Sequence, residues 1–271
     1  MIFYKTVSAG NDFIHIEVPR KPRQASMVRQ RLAIRITCRH RGAGADGVVF
    51  YHVDGGRVFC DIYNRDGSRA EISGNGLSGL AAVLFFTRRF AGRVGVQTQI
   101  GCREVVQIDG RGHRFRLRVE IGVPDFVNRR FFPFIRDGQA GYRLRETVFY
   151  PVSVGNPHAV VTDGSHGSQE ELQSLAQRLA KSDLFPLGVN VEIITALQKG
   201  HCAVYFHERG VGPTHSSSTG SAAVLAVLNR LGKAGGSLRV KTPSQELAVD
   251  GKERIWIENL TEIVYKGIYQ P

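Results

Sequence analysis

The 271-residue sequence has no uninterrupted apolar run approaching the roughly 18 to 20 residues that a membrane-crossing helix needs. Its opening, MIFYKTVSAGNDF, lacks a basic segment followed by an apolar one of the kind that directs secretion. A cytoplasmic location with no membrane partner is expected. Cysteine is scarce: Cys38, Cys60, Cys102 and Cys202 form no CxxC pair and have no histidine-rich partner pattern. That argues against a zinc site or a redox motif and for reduced, partly buried thiols, so no metal is expected. Acidic residues are also outnumbered, 24 against 36 basic, for a net charge of +12. Such a balance favours acidic small molecules or polyanions. The basic residues are nevertheless scattered (Arg20, Lys21, Arg23, Arg29, Arg31, Arg35, then Arg88, Arg89, Arg129, Arg130), without interleaved aromatics or a zinc-finger or RNP signature. They read as a solvated surface, and no nucleic-acid partner is expected.

What is present begins with an internal repeat. Val7-Ser8-Ala9-Gly10-Asn11 is echoed by Val152-Ser153-Val154-Gly155-Asn156, an offset of 145 from 7 to 152. Gly47-Val48-Val49-Phe50 answers to Asn190-Val191-Glu192-Ile193, and Tyr63-Asn64-Arg65-Asp66-Gly67 to Phe206-His207-Glu208-Arg209-Gly210, both at 143. Ser73-Gly74-Asn75-Gly76 matches Ser217-Ser218-Thr219-Gly220 at 144. Four matches in the same order at nearly one offset indicate two copies of one structural unit. The length and the 42% hydrophobic content accommodate two packed domains.

Each copy reads alike. RVFCDIY (57–63) and HCAVYF (201–206) alternate or carry β-branched residues as strands do, while AAVLFF (81–86) and SAAVLAVLNRL (221–231) read as a helix behind a small-residue loop. Ser26 and Ser168, the latter followed by Glu170 and Glu171, are expected to cap helices over 27–36 and 169–181. The weakly periodic stretch from Pro124 to Arg145 is expected to cross between domains. Many strands with one principal helix per copy make an α+β fold, with one domain at 1–124, completed by a C-terminal strand at 262–271, and the other at 125–261.

Both small-residue loops end at a helix start, where unpaired N–H groups and the helix dipole favour an anion. Taken singly, SGNG and SSTG are ordinary turn and cap chemistry; as a matched pair they are expected to face one another across a domain cleft, a preferred place for ligands. Asn11, Asn64, Asn156 and Asn190 stand in or beside glycine-rich or strand-end segments, where an amide can both donate to and accept from a polar ligand. Glu208 and Arg209 add one charge of each sign, as an amino-acid substrate needs.

The segments GNDF (10–13), RHRGAGADG (39–47), YNRDGSRAEISGNG (63–76), GNPH (155–158), NVE (190–192) and ERGVGPTHSSSTG (208–220) together resemble the ordered signature of diaminopimelate epimerases. The resemblance implies two similar, pseudo-symmetric domains, each a barrel-like β structure around a central helix, with the active site in the cleft. It implies inversion of an amino-acid α-carbon, LL- to meso-diaminopimelate in lysine and peptidoglycan precursor biosynthesis, with no pyridoxal phosphate, other cofactor or metal, and it suggests a homodimer. Carried over by position, it makes Asn11, Asn64, Asn156, Asn190, Glu208 and Arg209 the substrate-binding set. Gly74, Asn75, Ser218 and Thr219 become donors to the α-carboxylate, Ser218 standing where the family usually has glycine. His158 and Glu208 would assist proton transfer.

The family's catalytic cysteines fall on Ser73 and Ser217. A thiol, with an ordinary pKa near 8.5, is readily tuned to supply thiolate, whereas a hydroxyl acts only with a neighbour that takes its proton and is badly matched to abstracting an α-proton. Three readings follow: an epimerase in which His158 and Glu208 carry more of the proton work through the serines; an isomerase or eliminating enzyme for a more acidic substrate; and a non-catalytic binding relative. Retention of His158, Glu208 and Arg209 points to chemistry, and loss of both thiols points to a changed reaction.

Overall fold

The computed structural model describes residues 1–20, 25–163, 167–242 and 246–270; Lys21 and Arg23, named above, lie outside them. The chain divides into two compact units, Met1–Glu120 with Glu258–Pro271, and Ile121–Ile257.

The first unit opens on a hairpin of β1 (Ile2–Ser8) and β2 (Asn11–Glu17), turned by Ala9 and Gly10, both at positive φ (53° and 85°). Helix α1 (Ala25–Thr37) leads to β3 (Gly47–Asp54), parallel to β2, and then to β4 (Arg57–Asn64), antiparallel to β3. The two-residue strand β5 (Arg69–Ala70) precedes α2 (Gly74–Phe86), after which β6 (Arg93–Thr98) runs parallel to β4 and continues antiparallel into β7 (Gly101–Arg111) and β8 (Arg114–Gly122). The last strand of the chain, β17 (Ile255–Ile268), pairs with both β8 and β1. The order β1-β2-β3-β4-β6-β7-β8-β17 therefore returns to β1, and an eight-stranded barrel closes with no free edge.

Helix α2 fills this barrel. GNGLSGLAAVLFF carries no charge and, apart from Asn75 and Ser78, consists of apolar or glycine residues, and Gly74 to Phe85 are all buried. Its glycines permit that packing: a Cβ on Gly79 would collide with Thr6 Oγ1 and His15 Nε2. Outside, Ala33 and Ile36 of α1 join Phe3, Ile14, Ile16, Val48, Phe50 and Tyr63 in an apolar cluster.

The second unit repeats the scheme. Strand β9 (Tyr142–Leu144) pairs with β10 (Thr147–Ser153), which forms a hairpin with β11 (Pro157–Val161). Helix α3 (Gln169–Ala180) precedes β12 (Asn190–Gln198), parallel to β11, and β13 (His201–Glu208), antiparallel to β12. Short β14 (Gly212–Thr214) leads into α4 (Ser218–Arg230); β15 (Ser237–Lys241) then runs parallel to β13 and pairs with β16 (Glu246–Asp250). Helix α4 is buried from Ser218 to Leu228, and α3 packs outside through Leu172, Ala176 and Leu179. Each unit is thus a barrel-like sheet around a central helix, an α+β fold in two copies.

Two sequence expectations are corrected. Ser26 does not cap α1: the helix already includes Ala25, and the Ser26 hydroxyl lies 3.5 Å from Tyr63 Oη. The stretch 124–145 is not a bare crossover, because Phe131, Phe132 and Ile135 are buried in the second unit's core, where the ring of Phe132 meets Phe134 and Phe185 edge-on; low periodicity concealed an aromatic cluster. Ser168 does cap α3, with a complete capping box: its hydroxyl accepts from Glu171 N–H, and the Glu171 carboxylate accepts from Ser168 N–H.

Candidate functional site

In the first unit, Ser73 is the N-cap of α2, with extended backbone (φ −145°, ψ 116°) and Oγ accepting the Gly76 N–H at 3.1 Å. Gly74 and Asn75 follow, both buried. The Asn75 side chain faces inward, its Oδ1 accepting from Asn259 Nδ2 at 3.2 Å, while that amide also donates to Ser78 Oγ at 2.9 Å. Asn11 opens β2 opposite Ser8. Asn64 closes β4 beside Gly47 and donates through Nδ2 to Ser68 Oγ at 3.0 Å. Because Phe13 of β2 pairs with Gly47 of β3, and Gly47 with Asn64, both asparagines lie at one end of this sheet.

That end is locked by a cluster of charged side chains. Arg39 grips Asp12 with two bonds of 3.0 Å and Asp46 with one of 2.9 Å, and Lys5 Nζ lies 2.9 Å from Asp12. Burial pushes the Asp12 carboxyl up, but the Arg39, Lys5 and Asp46 contacts outweigh it and hold the pKa at about 2. The cluster joins two of the signature segments, GNDF and RHRGAGADG, and gives their charged residues a structural role.

In the second unit Ser217 caps α4 in the same way (φ −139°, ψ 120°), its Oγ accepting Gly220 N–H at 3.1 Å. Ser217, Ser218 and Thr219 are buried. Thr219 Oγ1 accepts from Asn156 Nδ2 at 3.3 Å; Asn156 Oδ1 lies 2.8 Å from His158 Nε2; and His158 Nδ1 lies 2.9 Å from Glu192 Oε1. His158 and Glu192 are both 0% exposed. Asn190 binds two ways, donating to Pro157 O at 2.8 Å and accepting Arg209 N–H at 3.0 Å, and the Arg209 guanidinium donates to Leu187 O at 3.1 Å. Glu208, half-buried, ends β13 opposite Gly212.

The structure thus joins Asn156, His158 and Thr219 in one chain of contacts, and Asn190 with Arg209 in another. Glu192, within the NVE motif, is a site neighbour that the motif alone does not reveal; the signal is its place in the repeat, where it corresponds to Val49.

Comparison with known proteins agrees with this fold. A family model described as diaminopimelate epimerase matches residues 3–127 and 150–265. The chain belongs to the diaminopimelate epimerase family. It is 32% identical to a diaminopimelate epimerase of Corynebacterium glutamicum (strain R) over 91% of its length and 90% of that protein. With the diaminopimelate epimerase of Xanthomonas euvesicatoria pv. vesicatoria (strain 85-10) it shares 31% identity over 98% and 92% of the two chains. Among solved structures, a probable proline racemase from Agrobacterium radiobacter K84 has the same fold, with a TM-score of 0.69 at 16% identity, covering 99% of this chain and 92% of that one. Membership makes the protein an isomerase of the epimerase type.

Neither Cys60 nor Cys202, both buried in strands, stands in for the serines at the helix caps. Burial pushes Cys60 of β4 and Cys202 of β13 up to about 12, leaving both protonated at neutral pH. Among the described residues no helix is long and apolar enough to cross a membrane.

Proposed function

We propose that the protein is a cofactor-independent amino-acid epimerase whose substrate is diaminopimelate, interconverting the LL and meso forms. A base takes the α-proton from one face, breaking the Cα–H bond, and an acid returns a proton to the carbanion from the other face. Ser73 and Ser217, at the positions of the family's catalytic cysteines, supply the two groups, one from each unit, with Glu208 and His158 in support. Asn11, Asn64, Asn156, Asn190, Glu208 and Arg209 bind the amino and carboxyl groups, and Gly74, Asn75, Ser218 and Thr219 line the α-carboxylate position. A cytoplasmic homodimer with the amino acid as its partner completes the reading.

One observation carries it: each serine is the N-cap of a buried helix, receiving a backbone N–H at 3.1 Å. At such a position the dipole and the donated hydrogen bond favour an anionic oxygen, the same setting that lowers a thiol's pKa. A hydroxyl remains the harder acid to ionise, so turnover is expected to be slow and to rise when sulfur is restored.

The test is incubation with LL-diaminopimelate in deuterated water, following the α-proton by NMR. Loss of the α-proton signal with appearance of the meso isomer is expected, and Ser73→Cys with Ser217→Cys together should accelerate it at least tenfold. Binding without exchange, or exchange only on another amino acid or hydroxy acid, would overturn the assignment.

A further inference from the structure

The two units are not chemically equivalent at the layer beneath the capped serines. In the first, a Cβ on Gly76 would touch Val49 Cγ2 at 3.3 Å and Phe13 Cε1 at 3.4 Å. In the second, the matching Gly220 would place a Cβ 2.5 Å from Glu192 Oε1. By the repeat offsets of 145 and 143, His158 stands where the first unit has Phe13, and Glu192 where it has Val49. An apolar pair in one copy is thus a buried ionisable pair in the other, directly under the helix that Ser217 caps.

A fold that closes around Phe and Val has no structural need of His and Glu, since burying charge is costly unless it is paired. Both ring nitrogens of His158 face oxygens, Glu192 Oε1 on one side and Asn156 Oδ1 on the other. An amide oxygen and an ionised carboxylate oxygen are both acceptors, and this arrangement calls for a ring that donates at both nitrogens. Glu192 Oε2 finds no hydrogen-bond partner among the described residues, so in that arrangement the ring's positive charge is what compensates the carboxylate. Nε2, committed to Asn156, has no lone pair with which to accept a proton from substrate.

We propose that Glu192 is a positioning residue: it holds His158 as a doubly protonated ring, which fixes the Asn156 amide with its NH2 group on Thr219, so that His158 acts on a bound α-carboxylate through Asn156 and Thr219 rather than by carrying a proton. The part concerning the carboxylate rests on the function proposed above; the state of the ring does not.

The experiment has two readouts. In protein labelled with 15N-histidine at neutral pH, His158 is expected to show two slowly exchanging ring N–H signals, and Glu192→Gln to retain the fold and lose one of them. A single ring N–H in the wild type, meaning a neutral ring with the Asn156 amide turned over, would overturn the proposal. For Glu192→Gln, KM for diaminopimelate, or Kd by calorimetry, is expected to rise about tenfold or more, the order seen when the partner orienting a ligating group is removed, with kcat changed less. A fall in kcat at unchanged KM would instead mean that His158 transfers a proton. His158→Phe with Glu192→Val, which installs the first unit's pair, controls for folding: it is expected to melt as the wild type does and to bind as weakly as Glu192→Gln, and wild-type binding by this variant would also overturn the proposal. Absence of exchange in the wild type would sink the assigned reaction while leaving the NMR result to decide the ring.

Discussion

His15 lies inside the first barrel, its Nε2 2.8 Å from Thr6 Oγ1. Burial lowers its pKa from 6.5 to about 3. The sign follows from which state takes the proton: below pH 6.5 the unfolded chain binds one that the folded chain refuses until about pH 3. The neutral ring's contribution is therefore whole above 6.5 and is lost as pH falls towards 3, by up to about 1.4 kcal/mol per pH unit. Urea unfolding between pH 7 and 4 is expected to show that slope, and His15→Gln to flatten it; an equal slope in the variant would mean that other groups set the acid sensitivity. The same scale explains what sequence could not disclose about the site. Asn75, Asn156 and Asn190 were legible as amides in suggestive places, but which atoms they spend on the protein depends on partners 184, 63 and 33 residues away.

At the scale of elements, the helices were legible because their signals are local. Ser168 with Glu171 is a capping box in the sequence and in the structure, and the small-residue loops do run into α2 and α4. The glycines within them carry a tertiary meaning that composition conceals. Gly79→Ala would ordinarily strengthen a helix by about 1 kcal/mol. Here the new methyl would collide with Thr6 Oγ1 and His15 Nε2, and overpacking of that kind costs about 1 to 3 kcal/mol. A net loss is expected, read as a fall of a few degrees in Tm by calorimetry; a rise in Tm would show that the barrel wall yields.

For the whole molecule, the first unit is discontinuous in sequence, since residues 258–268 of β17 pair with β1 and β8 and bring Asn259 to Asn75 and Ser78. A chain ended at Ile257 leaves two strand edges unpaired and two buried polar side chains without that partner. Limited proteolysis with mass spectrometry is expected to show rapid cleavage within residues 1–120 of this truncated chain, while fragments from 121–257 persist. Equal protection of both regions would show that the final strand is dispensable.

The sequence by itself determined the duplication, a strand followed by a central helix behind a small-residue loop in each copy, and the family, because each of these is written in spacing, periodicity and short motifs. Only the tertiary structure decided that Asp12 belongs to a charged lock, that aromatic residues near 132 are core, and that His158 is enclosed between Glu192 and Asn156. The physical reason is that hydrogen bonding and burial are properties of atoms brought together by packing. Matching spacing in the two copies places Phe13 and His158 at corresponding positions, and only the neighbours packed around each reveal that one is a filler and the other a hydrogen-bonded contact.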